Sequence, residues 1–420
     1  MQLNNYPKKI LALLFICFMA VLLSYELYRS AGRLFKGTGQ DHQEENSGGE
    51  EEKKEETEEE TDASPDAAEA DPAASEEASA QEEELSPLEQ AMLAFGDTVQ
   101  SRLDMRGFYY ELHMFITEDQ YIVKAYPETT TDYEFDQVML FKEFLDREGI
   151  HFAYVNQPTK YLDDTYMTRM FGVYTYTNAN ADRLVSRLRG AGVRTLDLRE
   201  ELVKDGLEIT DLFYRTDHHW TTRTGLWASG KIAGILNDWC GYSIDLSLFD
   251  EDHYDFTTFE NAWVGEQGKK IGASSAGTDD YTEICPKDKG QYTFYGKNGP
   301  WQEDFMGFIN ESAYDYDGPV EKRKSLHYSY NMLRAVNEKV EQGKVLIIGD
   351  SFSHVTEPFL SQAVHEIDAI VLRGKGDDFG LRQYILDGGY DTVLICYAQT
   401  NIGAHDDPKD ANAKMFWLDR

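Results

Sequence analysis

Val345-Leu346-Ile347-Ile348-Gly349-Asp350-Ser351-Phe352-Ser353 constrains the fold more than any other stretch. Four consecutive apolar residues run into Gly-Asp-Ser, and a helix-compatible segment follows from Thr356 to Ala363. A strand that is apolar at every position needs cover on both faces, as parallel strands have in α/β sheets. It would end in a tight turn that holds a serine at the carboxyl end of the strand, where open α/β sheets place their sites. Taken alone, the same turn is also an ordinary β-α connection in which Asp350 or Ser351 caps the next helix.

Neighbouring segments extend the pattern. Ile367 to Leu372 is a second apolar strand and ends at Arg373-Gly374; Thr392 to Tyr397 is a third and ends at Ala398-Gln399-Thr400-Asn401. Upstream, Phe108 to Phe115 and Gln120 to Tyr126 read as two strands around Glu118-Asp119. In Tyr133 to Arg147, residues Phe135, Val138, Met139, Phe141, Phe144 and Leu145 fall at helical intervals, and Gly149 closes the helix. His151 to Val155 and Val193 to Leu198 are strands separated by a helix over Ala179 to Leu188. This alternation predicts an α/β fold, a parallel sheet flanked by helices. Between Asp245 and Val340 the rhythm breaks into Tyr, Phe, Gly and Asp with Trp263 and Trp301, which predicts a β-rich insertion over the site, about 245–340. Aromatic rings there could stack on sugars or simply fill a core.

The N-terminal quarter has a different character. Lys8 and Lys9 precede an apolar run from Ile10 to Leu23 that fades through Tyr28. A span needs about 20 residues. Both a signal anchor and a cleaved signal peptide fit, and the absence of a small-x-small site after the run favours an anchor over 10–28. The expected order is a cytoplasmic tail over 1–9, the anchor, an acidic tether over 29–90, and an extracytoplasmic domain over 91–420. A helix is predicted from Leu88 to Leu103 at its start. Residues 41–90 hold 21 acids and two lysines, a charge of -19, with almost no large apolar side chain. Such a segment cannot offset its ordering entropy by burial and stays extended. Of the total charge of -36, residues 91–420 carry -21, a surface that repels phosphate backbones and argues against nucleic acid as partner. Four cysteines include no C-x-x-C pair, so no zinc signature is present.

Asp217-His218-His219-Trp220 is the second chemical stretch, set before a helix over Thr222 to Leu236. An Asp two residues from a His at a helix start can fix the imidazole's tautomer and stabilise its cation, the task of the acid in a Ser-His-Asp system. The same cluster could hold a metal or be structural, but no second ligand group accompanies it; no metal and no cofactor are expected.

With Gly349-Asp350-Ser351 downstream, Asp217-His218-His219-Trp220 resembles the DHHW protein family, which is similar to the SGNH-hydrolase-like domain of alginate-type O-acetyltransferases. The stretches Gly268 to Gly272, Gly277 to Thr282, Pro286-Lys287 and Pro358-Phe359-Leu360 fit the same resemblance, which covers Leu103 to the C-terminus. One departure is that members often carry Lys-Asp-Ser-Tyr-Gly where this chain has Gly349-Asp350-Ser351-Phe352-Ser353, closer to the general SGNH signature. The resemblance implies a permuted motif order, with Ser351 as nucleophile, His219 as base and Asp217 as the acid that orients it. It also implies an oxyanion hole from the Ser351 and Gly374 amides and the Asn401 side chain, although the glycine of the usual G-x-N-D block is missing before Asn401. Lys160, in a Pro-x-Lys element, together with Arg373 and Trp220 are the candidate substrate contacts; an ion-pairing role for Lys160 stays open. The implied activity is acyl transfer to an envelope or secreted polysaccharide, with a membrane-bound O-acyltransferase as partner. A carbohydrate O-acetylesterase and a catalytically silent binding module of the same fold are the alternatives.

Overall fold

The apolar run at Val345 becomes the central strand of the sheet. A computed structural model describes residues 114–160, 163–288, 292–296, 299–301 and 334–419. The described strands and α-helices are β1 Met114–Ile116, β2 Ile122–Lys124, α1 Asp132–Glu148, β3 His151–Gln157, α2 Thr165–Phe171, α3 Thr177–Gly190, β4 Thr195–Asp197, α4 Leu198–Asp205, α5 Thr222–Cys240, β5 Tyr254–Trp263, α6 Glu266–Ile271, α7 Ala273–Ala276, β6 Asp279–Pro286, β7 Tyr292–Gly296, β8 Gly299–Trp301, β9 Arg334–Asn337, β10 Lys344–Gly349, α8 Thr356–Leu360, β11 Glu366–Ile370, α9 Leu381–Gly388 and β12 Thr392–Ala398. The expected anchor at 10–28, the acidic tether, the helix over 88–103 and residues 302–333 of the expected insertion lie outside the described residues. Among the described residues, no helix is long and apolar enough to cross a membrane.

The main sheet has the order β4-β3-β12-β10-β11-β9-β7-β8. Its first five strands are mutually parallel. Side-chain alternation explains why their sequences are continuously apolar. Val345 and Ile347 of β10, Leu394 and Cys396 of β12, and Ala153 and Val155 of β3 enter one core with α5 and α8. Leu346 and Ile348, Val393 and Ile395, and Phe152 and Tyr154 enter the other with α1, α3 and α9. Both faces are covered, so no position can be polar without a partner.

The sheet departs from a purely parallel one at its far edge. β9 pairs antiparallel with β11, and β7 and β8 continue the antiparallel part. These strands come from the segment expected to be a β-rich insertion, and they extend the central sheet. An uncovered β11 would present a row of unpaired N–H and C=O groups, which β9 satisfies. β5 and β6 form a separate two-stranded antiparallel sheet. Cys240 and Cys396 are buried and Cys285 is half-buried, and none of the three is in a disulfide.

The chain passes from β10 to β11 on one side of β10, and β12 lies on the other. β10 is therefore a topological switch point, and a crevice opens at its carboxyl end. Ser351 is the second residue past that end. Beneath it α8 packs against α5, where a Cβ at Gly225 would lie 2.3 Å from Val355 Cγ1. Gly225→Ala should destabilise the protein by about 1–3 kcal/mol through overpacking, measurable by chemical denaturation.

Candidate active site

The segment from Leu212 to Thr221 folds back on itself before α5 begins. Thr221 N donates to the Leu212 carbonyl at 2.8 Å and Tyr214 N to the His219 carbonyl at 3.2 Å. The fold-back places Asp217 and His219 at its tip, and Thr221 caps α5 by accepting from Thr224 N. Trp220 points into the core, fully buried, and its indole Nε1 donates to the Phe352 carbonyl at 3.0 Å. That bond ties the Asp-His segment to the residue after Ser351. The Phe352 ring lies 5.0 Å from the His219 ring and 5.5 Å from that of Trp220.

These tethers bring three side chains from separated parts of the chain into line. His219 Nε2 lies 2.6 Å from Ser351 Oγ, and His219 Nδ1 lies 2.6 Å from Asp217 Oδ1. An ionised carboxylate only accepts, so the network assigns the proton to Nδ1 and leaves the Nε2 lone pair to receive the serine proton. Asp217 has no exposed surface, and a buried carboxylate needs donors. Oδ1 also accepts His219 N at 3.0 Å, and Oδ2 accepts Glu266 N at 2.8 Å.

The Glu266 amide reaches Asp217 only because residue 265 is a glycine. A Cβ there would lie 2.3 Å from Asp217 Cβ and 2.6 Å from its Cα. Two further groups fix the same turn. Asp279 accepts Arg215 N at 2.7 Å and Thr216 N at 2.8 Å. Lys160 Nζ donates to the Ile122 carbonyl at 2.7 Å, the Arg215 carbonyl at 3.0 Å and Gln267 Oε1 at 3.0 Å. Burial pushes the Lys160 ammonium down to about 7, against the pull of Asp217 and Asp279. The roles of Gly265, the Glu266 amide and Asp279 were not read from the sequence. Asp279 lay within the resembling stretch, but its partners are backbone amides 63 and 64 residues away, which no local pattern displays.

The remaining candidates fall at strand ends in different ways. Asn401 sits in a 3-10 turn after β12, nearly buried, and donates from Nδ2 to Asp350 Oδ2 at 2.6 Å. Gly374 ends a 3-10 turn, Leu372–Gly374, after β11. Arg373 donates to Asn412 Oδ1 at 3.1 Å. Trp220 is spent on packing and on its bond to Phe352, and Lys160 on three oxygens. Asp350 accepts Phe352 N at 2.9 Å and Ala398 N at 2.7 Å in addition to Asn401, and burial raises its pKa. It therefore ties the turn that carries Ser351 to β12. A shallow cleft beside Phe352 is lined by Lys124, Tyr126, Lys160, His218 and Thr400. His218 is 45% exposed there, and potential ligand atoms of Asp217, His218 and His219 lie within 4.8 Å of one another. A metal on this trio would have to displace the bonds that engage both His219 nitrogens and both Asp217 oxygens.

The fold is SGNH-hydrolase-like, a largely parallel sheet flanked by helices, and past the end of its central strand a serine is aligned with an imidazole and a buried carboxylate. The family model described as SGNH hydrolase-like domain, acetyltransferase AlgX, matches residues 114–242, which include Asp217 and His219 but stop short of Ser351. Among solved structures, PatB1 from Bacillus cereus with a sulfonyl adduct is similar at 18% identity and a TM-score of 0.55, covering 73% of this chain and 100% of that one. A DHHW family protein from Eubacterium siraeum is similar at 16% identity and a TM-score of 0.50, covering 71% and 94%. The O-acetyltransferase domain of Pseudomonas putida AlgJ aligns at 11% identity and a TM-score of 0.38, covering 72% and 98%. No curated protein matches the sequence. The fold and the resemblance read from Asp217-His218-His219-Trp220 and Gly349-Asp350-Ser351 agree with these findings.

Two substitutions test the supports of the site. Gly265→Ala should push the Glu266 amide off Asp217 and slow the reaction of Ser351 with a sulfonyl fluoride by about 10²-fold with the fold retained, since small misplacements of reacting groups cost that much. Lys160→Met should cost about 1–3 kcal/mol by leaving buried oxygens without a donor. Folded Lys160, at about 7 against an ordinary 10.5, holds its proton less tightly than the unfolded chain does. Its contribution makes wild type gain stability as pH rises from about 7 towards the ordinary lysine value. Denaturation across that range should show the rise in wild type and its loss in the variant.

Proposed function

We propose that this protein is an O-acetyltransferase that acts outside the cell on an envelope or secreted polysaccharide through Ser351, His219 and Asp217. The observation that carries the reading is the pair of 2.6 Å contacts linking Asp217, His219 and Ser351. Ser351 Oγ attacks the acetyl carbonyl of a donor while its proton passes to His219 Nε2. The leaving group departs with that proton, and acetyl-Ser351 remains. A sugar hydroxyl then loses its proton to His219, attacks the acetyl carbon and releases Ser351. Asp217 stabilises the imidazolium formed in both halves.

Amides of Ser351 and Gly374 and the second amide hydrogen of Asn401 are the proposed oxyanion donors. Removing one such donor costs about 10²–10³ in rate. The match of residues 114–242 to an acetyltransferase family model and the apolar run at 10–28 support a membrane-tethered acetyl carrier. A membrane-bound O-acyltransferase that passes acetyl groups across the bilayer is the proposed partner. Arg373 and the cleft beside Phe352 are the proposed acceptor contacts.

A sulfonyl fluoride probe tests the nucleophile, following the adduct carried by PatB1. Wild type should be labelled and Ser351→Ala should not. Asp217→Asn should lower acyl transfer by about 10⁴-fold, the loss expected when the imidazole takes the wrong tautomer. Acetylated oligosaccharide as product supports the transferase, free acetate alone would make the protein an esterase, and an unlabelled, well-folded wild type would leave a binding module.

A further inference from the structure

We propose that Glu357 is a neutral carboxylic acid that donates its proton to Ser353 and thereby positions the turn carrying Ser351; the positioning half of this rests on Ser351 being the nucleophile. Hydrogen counting leads to it. Ser353 Oγ lies 2.8 Å from the Asp350 carbonyl oxygen and 3.1 Å from Glu357 Oε1. A hydroxyl carries one proton, and neither a carbonyl nor a carboxylate carries any. With Glu357 ionised, the single Ser353 proton would have to be shared between two acceptors, as in a three-centre bond. With Glu357 protonated, both contacts are bonds: Glu357 donates to Ser353 Oγ, and Ser353 donates to the Asp350 carbonyl.

The surroundings favour the same state. Glu357 lies on α8 and is 3% exposed. The charges acting on it are Asp368 of β11 and Asp350 at the end of β10, and both disfavour a second carboxylate. β12 faces it with the Cys396 thiol, itself pushed up by burial. Burial pushes Glu357 up to about 8.

Glu357 is a positioning residue because the Asp350 carbonyl that receives the Ser353 hydroxyl also receives Ser353 N at 3.0 Å. Together these bonds close the turn Asp350 to Ser353 around Ser351. The closure is tight: a Cβ at Gly349 would lie 1.9 Å from Ser353 Oγ. When Glu357 ionises, it competes for the one Ser353 proton and draws it from the Asp350 carbonyl.

Full-length wild type and Glu357→Gln, which keeps a donor but cannot ionise, provide the test. An infrared difference spectrum between them at pH 6 should show a protonated carboxyl band that fades through about pH 8. A carboxylate band at pH 6 overturns the proposal. The rate of sulfonyl labelling at Ser351 should fall above about pH 8 in wild type, and this falling limb should be absent from Glu357→Gln. Identical limbs in the two proteins overturn the positioning role. Folded Glu357 holds its proton more tightly than the ordinary 4.5 of the unfolded chain. Wild type should therefore lose stability, relative to Glu357→Gln, as pH rises from the ordinary 4.5 to about 8, with no further loss above it. If wild type is not labelled at any pH, the nucleophile assignment fails, while the infrared and stability measurements still decide the proton. If Glu357→Gln does not fold, Ser353→Ala replaces it: loss of the acceptor should shift the carboxyl band, and an unshifted band overturns the contact.

Discussion

The buried carboxylate of Asp217 sets the terms for its surroundings. A charge with no exposed surface is tolerable only where donors replace the lost water. Two of its donors, His219 N and His219 Nδ1, come from its own turn. Another, Glu266 N, comes from the segment between β5 and β6, and it requires a glycine at 265 so that the two backbones can meet. Asp279 and Lys160 hold the turn from outside through backbone atoms. The segment that looked like an accessory insertion is therefore a wall of the site, and the Asp-His unit would lack a fixed geometry without it.

The second constraint is the position of β10. As the switch strand, it leaves room above its carboxyl end that no crossover helix fills. The turn after Gly349 has to place a serine in that room while its backbone stays satisfied. Asp350 does this by accepting Phe352 N, Ala398 N and the Asn401 amide, which joins the turn to β12. Phe352 fills the space beneath His219, and its carbonyl receives the Trp220 indole. Each neighbour of Ser351 is thereby fixed by a different element.

Much of this was legible in the sequence because it rests on local patterns. The apolar runs at 345, 367 and 392 can only be strands covered on both sides, and the structure places them adjacent and parallel in the order β12-β10-β11. The helix expected over Tyr133 to Arg147 spans Asp132–Glu148, closed by Gly149 at φ 72°. Asp217, His219 and Ser351 stood out because the short motifs that contain them carry the family resemblance. What escaped notice is non-local. The direction of β9, β7 and β8 depends on which edge needs a partner, and nothing in their own residues encodes it. Trp220 was a candidate substrate contact, whereas its indole is fully buried and donates to the Phe352 carbonyl. Asn401 was read from a motif as an oxyanion donor; its side-chain amide donates to Asp350, 51 residues away.

Buried acids lie close together around the nucleophile, and their donors separate their tasks. Asp217 accepts from backbone amides and from the imidazole that the proposed reaction makes cationic, so its negative charge is useful where it lies. Asp350 accepts from neutral amides, and burial still raises it; its charge serves to join strands. Glu357 meets only a hydroxyl that a carbonyl already claims. The least costly state for that group is the neutral acid, since a second or third anion in the same low-dielectric volume would repel the others. Keeping Glu357 uncharged avoids a further anion beside Asp350, whose charge already acts on His219 alongside that of Asp217. On this reading the proton on Glu357 limits the charge around the triad as well as contributing to the shape of the turn.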